Sequence, residues 1–187
     1  VSVNDHVIHK LTPKAMLNVG VGRIPEDRHH DGIVSNMSVA ENLVIERLDE
    51  PDVQRNGFLR KSSIAKNARN LTQSYDVRGP GINARSALLS GGNIQKLILA
   101  RVLETNPDLI LANQPTRGLD FKAASDVSQR LFEARDRGAG VILISEDLDE
   151  VLSLADRILV MHDGQLTETD SRDRTVIGLA MAGGEQL

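Results

Sequence analysis

Two textures of hydrophobic and polar positions divide the chain. In the first half the apolar positions are sparse. Residues 19–24, VGVGRI, predict a short strand stopped by Pro25, and the charged loop EDRHHDG follows. Residues 37–48 predict a helix: Ser38 stands as N-cap, Glu41 lies at the capping-box spacing, and Val39, Leu43 and Val44 share a face. Residues 61–75 predict a second, more polar helix, followed by DVRGPGINAR, a loop marked by two glycines and a proline. From Ser90 the pattern becomes regular, with helices over 91–104, 122–137 and 148–154 and strands over 109–112, 141–144 and 157–161. Gly138 and Gly140 end the long helix. Strands alternating with helices predict an α/β fold with a parallel, doubly wound sheet. The stretch 38–104 reads as helical without strands, so it is expected to form a lobe attached to that sheet. Neither an internal repeat nor a low-complexity tract is present.

Composition narrows the function classes. The 187 residues are 40% hydrophobic and 26% charged, enough for a real core and too apolar for disorder. A net charge of -4 with no dense Lys/Arg cluster argues against direct DNA or RNA binding. The chain has no cysteine, which excludes a disulfide framework and thiolate metal sites. No apolar run approaches the ~18 residues that span a bilayer, so a link to a membrane is expected to run through a protein partner. The chain opens on Val1 in a polar stretch, as a piece of a longer polypeptide would.

Two segments could carry chemistry. In LLSGGNIQKLILARVLE, Ser90 can cap a helix whose first residues, Gly91 and Gly92, have no side chains. A bare helix N-terminus presents unpaired N–H groups and the positive end of the dipole, which suit an anion, phosphate above all. Ile94, Leu97, Ile98 and Val102 form the apolar stripe, with Gln95, Lys96 and Arg101 expected to face elsewhere. In DLILANQPTRGLD, a buried-strand pattern ends on two amides, Asn113 and Gln114, at the place where α/β proteins put their chemistry. Amides neither charge a metal site nor accept a proton at neutral pH. His29, His30 and His162 have poor spacing for a metal and read as solvated, so no metal site is expected on this chain.

The order of these segments carries a resemblance. LSGGN with Gln95, then LILANQPT, RGLD, ILISED and ADRILVMHDGQL resembles the nucleotide-binding domain of ATP-binding-cassette (ABC) transporters. Upstream, VGRIPEDRHHDGIVSNMSVAENL looks like the second cassette of the double-cassette ATPases that serve simple-sugar and nucleoside importers. The resemblance runs from about residue 15 to 183. It implies a P-loop NTPase core at 15–37 and 105–170, an inserted helical signature subdomain at 38–104 and a C-terminal tail at 171–187. The phosphate loop G-x-x-x-x-G-K-[ST] occurs nowhere: the six lysines, Lys10, Lys14, Lys61, Lys66, Lys96 and Lys122, all lack a preceding glycine. The resemblance therefore implies a partial cassette, without the phosphate-loop strand and the N-terminal antiparallel lobe.

Resemblance also assigns the sites. Ser90, Gly91, Gly92, Asn93 and Gln95 would bind, in trans, the ATP of a partner cassette, and Gly118, Leu119 and Asp120 would form the D-loop. The family's catalytic Asp-Glu pair falls on Asn113 and Gln114, its switch histidine on Glu146 and its Q-loop glutamine on Glu26, so the cis site is expected to be degenerate. ATP and Mg²⁺ belong to the assembled parent rather than to this chain alone. Expected partners are a second cassette, transmembrane permease subunits and, indirectly, a substrate-binding protein, with the parent on the inner face of the plasma membrane. LSGGNIQK with the amide pair leans towards nucleosides over sugars. The rivals are a soluble ABC ATPase of the repair or translation type and a non-catalytic dimerisation module.

Overall fold

The computed structural model describes residues 2–3, 6–8 and 11–184. The chain divides into two units, Val1–Ile144 and Ser145–Leu187. The first opens with β1 (Ser2–Val3), β2 (His6–Val7), α1 (Pro13–Asn18) and β3 (Val21–Ile24), then α2 (Val39–Val44), β4 (Gln54–Arg55), β5 (Phe58–Leu59) and α3 (Lys61–Ser74). A 3-10 turn, Ser86–Leu88, leads into α4 (Gly91–Glu104), β6 (Leu109–Asn113), α5 (Phe121–Asp136) and β7 (Gly140–Ile144).

Its sheet is parallel, in the order β3-β6-β7. β6 alternates strictly: Ile110 and Ala112 enter the main core, while Leu109 and Leu111 pack with Val3, Ile8, Val21 and the α1 side chains Ala15 and Met16 on the opposite face. The main core gathers Ile24, Leu43, Ile94, Leu97, Ile98, Ile110, Val127 and Leu131. β7 gives Val141 and Leu143 to that core. Its other side chains, Ile142 and Ile144, are half exposed, and its outer edge joins no ladder among the described residues.

The second unit holds α6 (Leu148–Leu154), β8 (Ile158–His162), β9 (Gln165–Thr169) and α7 (Arg174–Met181) around Ile158, Val160, Ile177 and Ala180. β8 was expected as a strand of the parallel sheet; instead it pairs antiparallel with β9. The reason is the Asp163-Gly164 turn, where both residues take positive φ and reverse the chain within two residues. β9, α1 and α7 have no counterpart in the sequence reading. No helix among the described residues is long and apolar enough to cross a membrane.

Three further expectations are corrected. Residues 38–104 are not free of strands: β4 and β5 form a hairpin across Asn56-Gly57, with φ of 53° and 81°. The expected helix 37–48 ends at Val44, although its start is as read, with Ser38 and Glu41 completing a reciprocal capping box. Gln95 and Arg101 do not face away from the core. α4 is packed by β3, α2, α3 and α5, so these two polar positions are buried along with its apolar stripe. The Arg101 guanidinium lies 3.2 Å from Glu46 Oε1 and donates to Gly32 O at 2.8 Å, and burial pulls its pKa below the ordinary arginine value. Within the opening stretch and the expected tail, residues 1, 4, 5, 9, 10 and 185–187 lie outside the described residues.

One buried polar group ties the helical lobe together. Asn42 is fully buried; its Nδ2 donates to Val34 O, Ser38 O and Ser86 Oγ at 3.1, 3.0 and 3.0 Å, and its Oδ1 accepts from Val34 N–H at 2.8 Å. Asn42→Ala takes the Oδ1 acceptor from Val34 N–H, while Val34 O keeps the Ser86 hydroxyl and Ser38 O keeps the N–H of residue 42; a group left unsatisfied costs ~1–3 kcal/mol. Chemical denaturation is expected to register a loss of roughly 2 kcal/mol; a loss below ~1 kcal/mol would mean that the pocket relaxes around the vacancy.

Candidate functional site

The start of α4 is built without a side-chain cap. Ser90 has N-cap backbone angles, φ -69° and ψ 159°, yet its hydroxyl accepts nothing from the helix backbone. Ser90 Oγ instead accepts from Asn93 Nδ2 at 2.8 Å, and Asn93 Oδ1 accepts from the Arg78 N–H at 2.7 Å. The first intrahelical bond is donated by Ile94 to Ser90 O, which leaves the N–H groups of Gly91, Gly92 and Asn93 to point out of the helix.

These groups form one wall of a cleft of about 350 Å³. The opposite wall is Gly118, Leu119 and Asp120 with the first turn of α5, and Asp76, Arg78, Lys96 and Asp126 close one end. Lys96 Nζ lies 3.0 Å from Asp76 Oδ2 and 3.4 Å from Asp126 Oδ2, and Arg78 Nε donates to Asp76 Oδ1 at 2.9 Å. Arg78 first, then Lys96, hold the Asp76 carboxyl down to about 2 against an ordinary 3.8. A depressed acid pKa gives these contacts their full strength above pH 3.8, and they are lost as pH falls from there towards 2. Asp120 caps α5, its Oδ1 accepting from Ala123 N–H at 2.8 Å.

The structure thus brings Ser90, Gly91, Gly92 and Asn93 to one cleft with Gly118, Leu119 and Asp120. Gln95 is not among its lining residues. The residue is 2% exposed, and its Nε2 has no hydrogen-bond partner among the described residues.

Asn113 ends β6 in register with Ile144 of β7, and Gln114 N–H extends that ladder by donating to Ile144 O at 2.8 Å. Gln114 then turns the chain with φ 48°, a left-handed conformation that amide residues tolerate better than branched ones. Glu146 belongs to the second unit, between Ser145 and Asp147, whose carboxylate caps α6. Among the described residues no cluster of three carboxylate or imidazole groups is placed to hold a metal ion.

The loop after β3 contributes Glu26, the expected Q-loop position, and Arg28, to which the sequence pattern assigns no role. Glu26 forms an ion pair with Arg117. Arg28 Nη1 donates to Arg117 O at 3.0 Å, and Nη2 to Gly118 O at 3.5 Å. The available signal was the density of charge in PEDRHHDG, where arginine is the residue with a planar fork of donors.

No family model matches the chain. It is 42% identical over 187 residues to the nucleoside import ATP-binding protein NupA of Lactococcus lactis, covering 98% of this chain and 37% of that protein. It is 39% identical to the guanosine import ATP-binding protein NupO of Bacillus subtilis, over 100% of this chain and 37% of that one. With the glucose import ATP-binding protein TsgD13 of Haloferax volcanii the identity is 38%, over 98% and 34%. The chain therefore spans about a third of the length of the curated relatives it matches. Among solved structures it resembles the ATP-binding cassette MJ0796, a dimer in a post-hydrolysis state bound to ADP and Pi. The TM-score is 0.71 at 22% identity, over 89% of this chain and 71% of that one.

Proposed function

We propose, for a chain with the α/β fold of an ATP-binding cassette and with relatives among nucleoside and sugar import ATP-binding proteins, that it serves an ABC importer by completing a nucleotide site in trans. The observation that carries this reading is the cleft in which the uncapped start of α4 faces Gly118–Asp120. Outward N–H groups and the positive end of the helix dipole suit phosphate, and Gly91 and Gly92 leave it room to approach. The group received there would be the γ-phosphate of ATP held on a partner cassette's phosphate loop. Ser90 Oγ already accepts from Asn93, so its own proton is available to a phosphate oxygen.

The end of β6 supports the other half of the reading, a degenerate cis site. Asn113 and Gln114 bring no charge to Mg²⁺ and take no proton at neutral pH. These residues do not fit a hydrolytic metal site. Glu26 is already paired with Arg117, and Glu146 is a carboxylate at the position where the family's imidazole would donate.

Clamping and release at the trans site would move transmembrane permease subunits gripped at about residues 26–75. A substrate-binding protein would deliver a nucleoside or simple sugar from the far side. The cassette would sit on the inner face of the plasma membrane through its permease.

The chain by itself, having no phosphate loop in its sequence, is expected to hydrolyse no ATP above background in a steady-state assay. Gln114→Glu is expected to add nothing, because Asn113 remains an amide. Hydrolysis that survives further purification and disappears in Gln114→Ala would overturn the reading of this site as degenerate.

A further inference from the structure

The Arg28 guanidinium lies between two backbone segments that have no side chains to obstruct it. A Cβ added at Gly91 would come 3.4 Å from Arg28 Nε and 3.5 Å from Cζ, and one added at Gly118 would come 3.3 Å from Nη2. Gly118 is also held at φ 65°, where a side chain is strained. The start of α4 and the turn after β6 therefore both lie within van der Waals reach of this one guanidinium group. Its two Nη atoms face successive carbonyls, Arg117 O and Gly118 O. A lysine ammonium has no such fork.

The arm that carries Arg28 is itself fixed. Asp27 Oδ1 accepts from the N–H groups of His29 and His30, both at 2.9 Å, and Asp27 O accepts from Asp31 and Gly32. Gly32 O in turn receives the buried Arg101, and the Glu26–Arg117 ion pair joins the same two loops a second time. Electrostatics runs against the arrangement: a cation beside a helix N-terminus meets the positive end of the dipole. The two carbonyls offset part of that cost, and an anion in the adjoining cleft would offset more.

We infer that Arg28 is a positioning residue that sets the distance between the start of α4 and Gly118–Asp120, and with it the width of the cleft. The inference rests on the proposal that the cleft receives phosphate.

Amide NMR of the 187-residue chain tests it, with inorganic phosphate as the probe. Arg28→Ala is expected to displace the Leu119 and Asp120 resonances before any phosphate is added, leaving those of β6 and the C-terminal half of α4 in place. It should also raise the phosphate concentration that half-shifts Gly91 and Gly92 by roughly tenfold. Arg28→Lys, which keeps the charge and loses the fork, is expected to leave Leu119 and Asp120 displaced and to recover only part of the affinity. The inference fails if Arg28→Ala leaves Leu119 and Asp120 where they are, or if Arg28→Lys restores both readouts. If wild-type Gly91 and Gly92 ignore phosphate while Arg28→Ala still displaces Leu119 and Asp120, the phosphate reading falls and the positioning role stands.

Discussion

Gly92→Asp is expected to reduce ATP turnover of the assembled cassette pair by ~10²-fold or more, the usual consequence of losing a preorganised anion donor set. The site of the change makes this a clean experiment. A Cβ at Gly92 meets nothing closer than Ala123 Cβ at 3.8 Å, so the fold has room for a side chain. Gly92 is also the second residue of α4, where a carboxylate complements the dipole. Folding stability should therefore hold or rise while activity collapses, because the new carboxylate occupies the space proposed for phosphate and repels it. Gly92→Ala adds the smallest possible group and should lose far less. Turnover measured together with a melting curve separates the outcomes, and wild-type turnover in Gly92→Asp would show that this helix start meets no phosphate.

The second large effect concerns association of the chain with itself. β7 has an outer edge without a ladder among the described residues, and Ile142 and Ile144 are 50% and 56% exposed on one of its faces. The edge amides can be hydrated, so the drive comes less from unmade hydrogen bonds than from two isoleucines beside an available strand edge, at ~25 cal/mol for each Å² of apolar area covered. Sedimentation over a concentration series is expected to reveal dimers or larger species. Ile142→Lys, which puts a charge on that face, should return the chain to monomer. A wild-type monomer at the highest concentrations would sink this expectation, as would association that Ile142→Lys leaves untouched.

Much of the fold was legible because local signals agree with tertiary demand. α4 has the expected bounds, from a serine at an N-cap position to Glu104, and α6 has them too. Ser38 and Glu41 form the reciprocal cap that their spacing announces. The hairpin turns at Asn56-Gly57 and Asp163-Gly164 were also written in the sequence. Their two-residue signal was outweighed by helical or parallel-strand expectations drawn from longer stretches.

The misplacement of Gln95 and Arg101 has a different origin. Periodicity assigns polar residues to an outer face, but a helix packed on several sides has little outer face to give. For the site, the phosphate-suited helix start and the Gly118–Asp120 segment were readable from residue type and order. Arg28 was not: its partners are backbone carbonyls 89 and 90 positions away, and carbonyls leave no trace in a residue pattern.

The engagement of Ser90 with Asn93 has a consequence for how this segment can change over time. A serine at that position would ordinarily cap its own helix, a contact worth ~1 kcal/mol. Asn93 holds the hydroxyl away from that task, so the helix start stands below the stability its own residues could reach. Selection or design for a hardier chain would find an easy step here: replace Asn93, let Ser90 turn inward, and gain stability by closing the N–H groups that face the cleft. Keeping the Ser90–Asn93 pair would then yield that stability to the proposed phosphate binding.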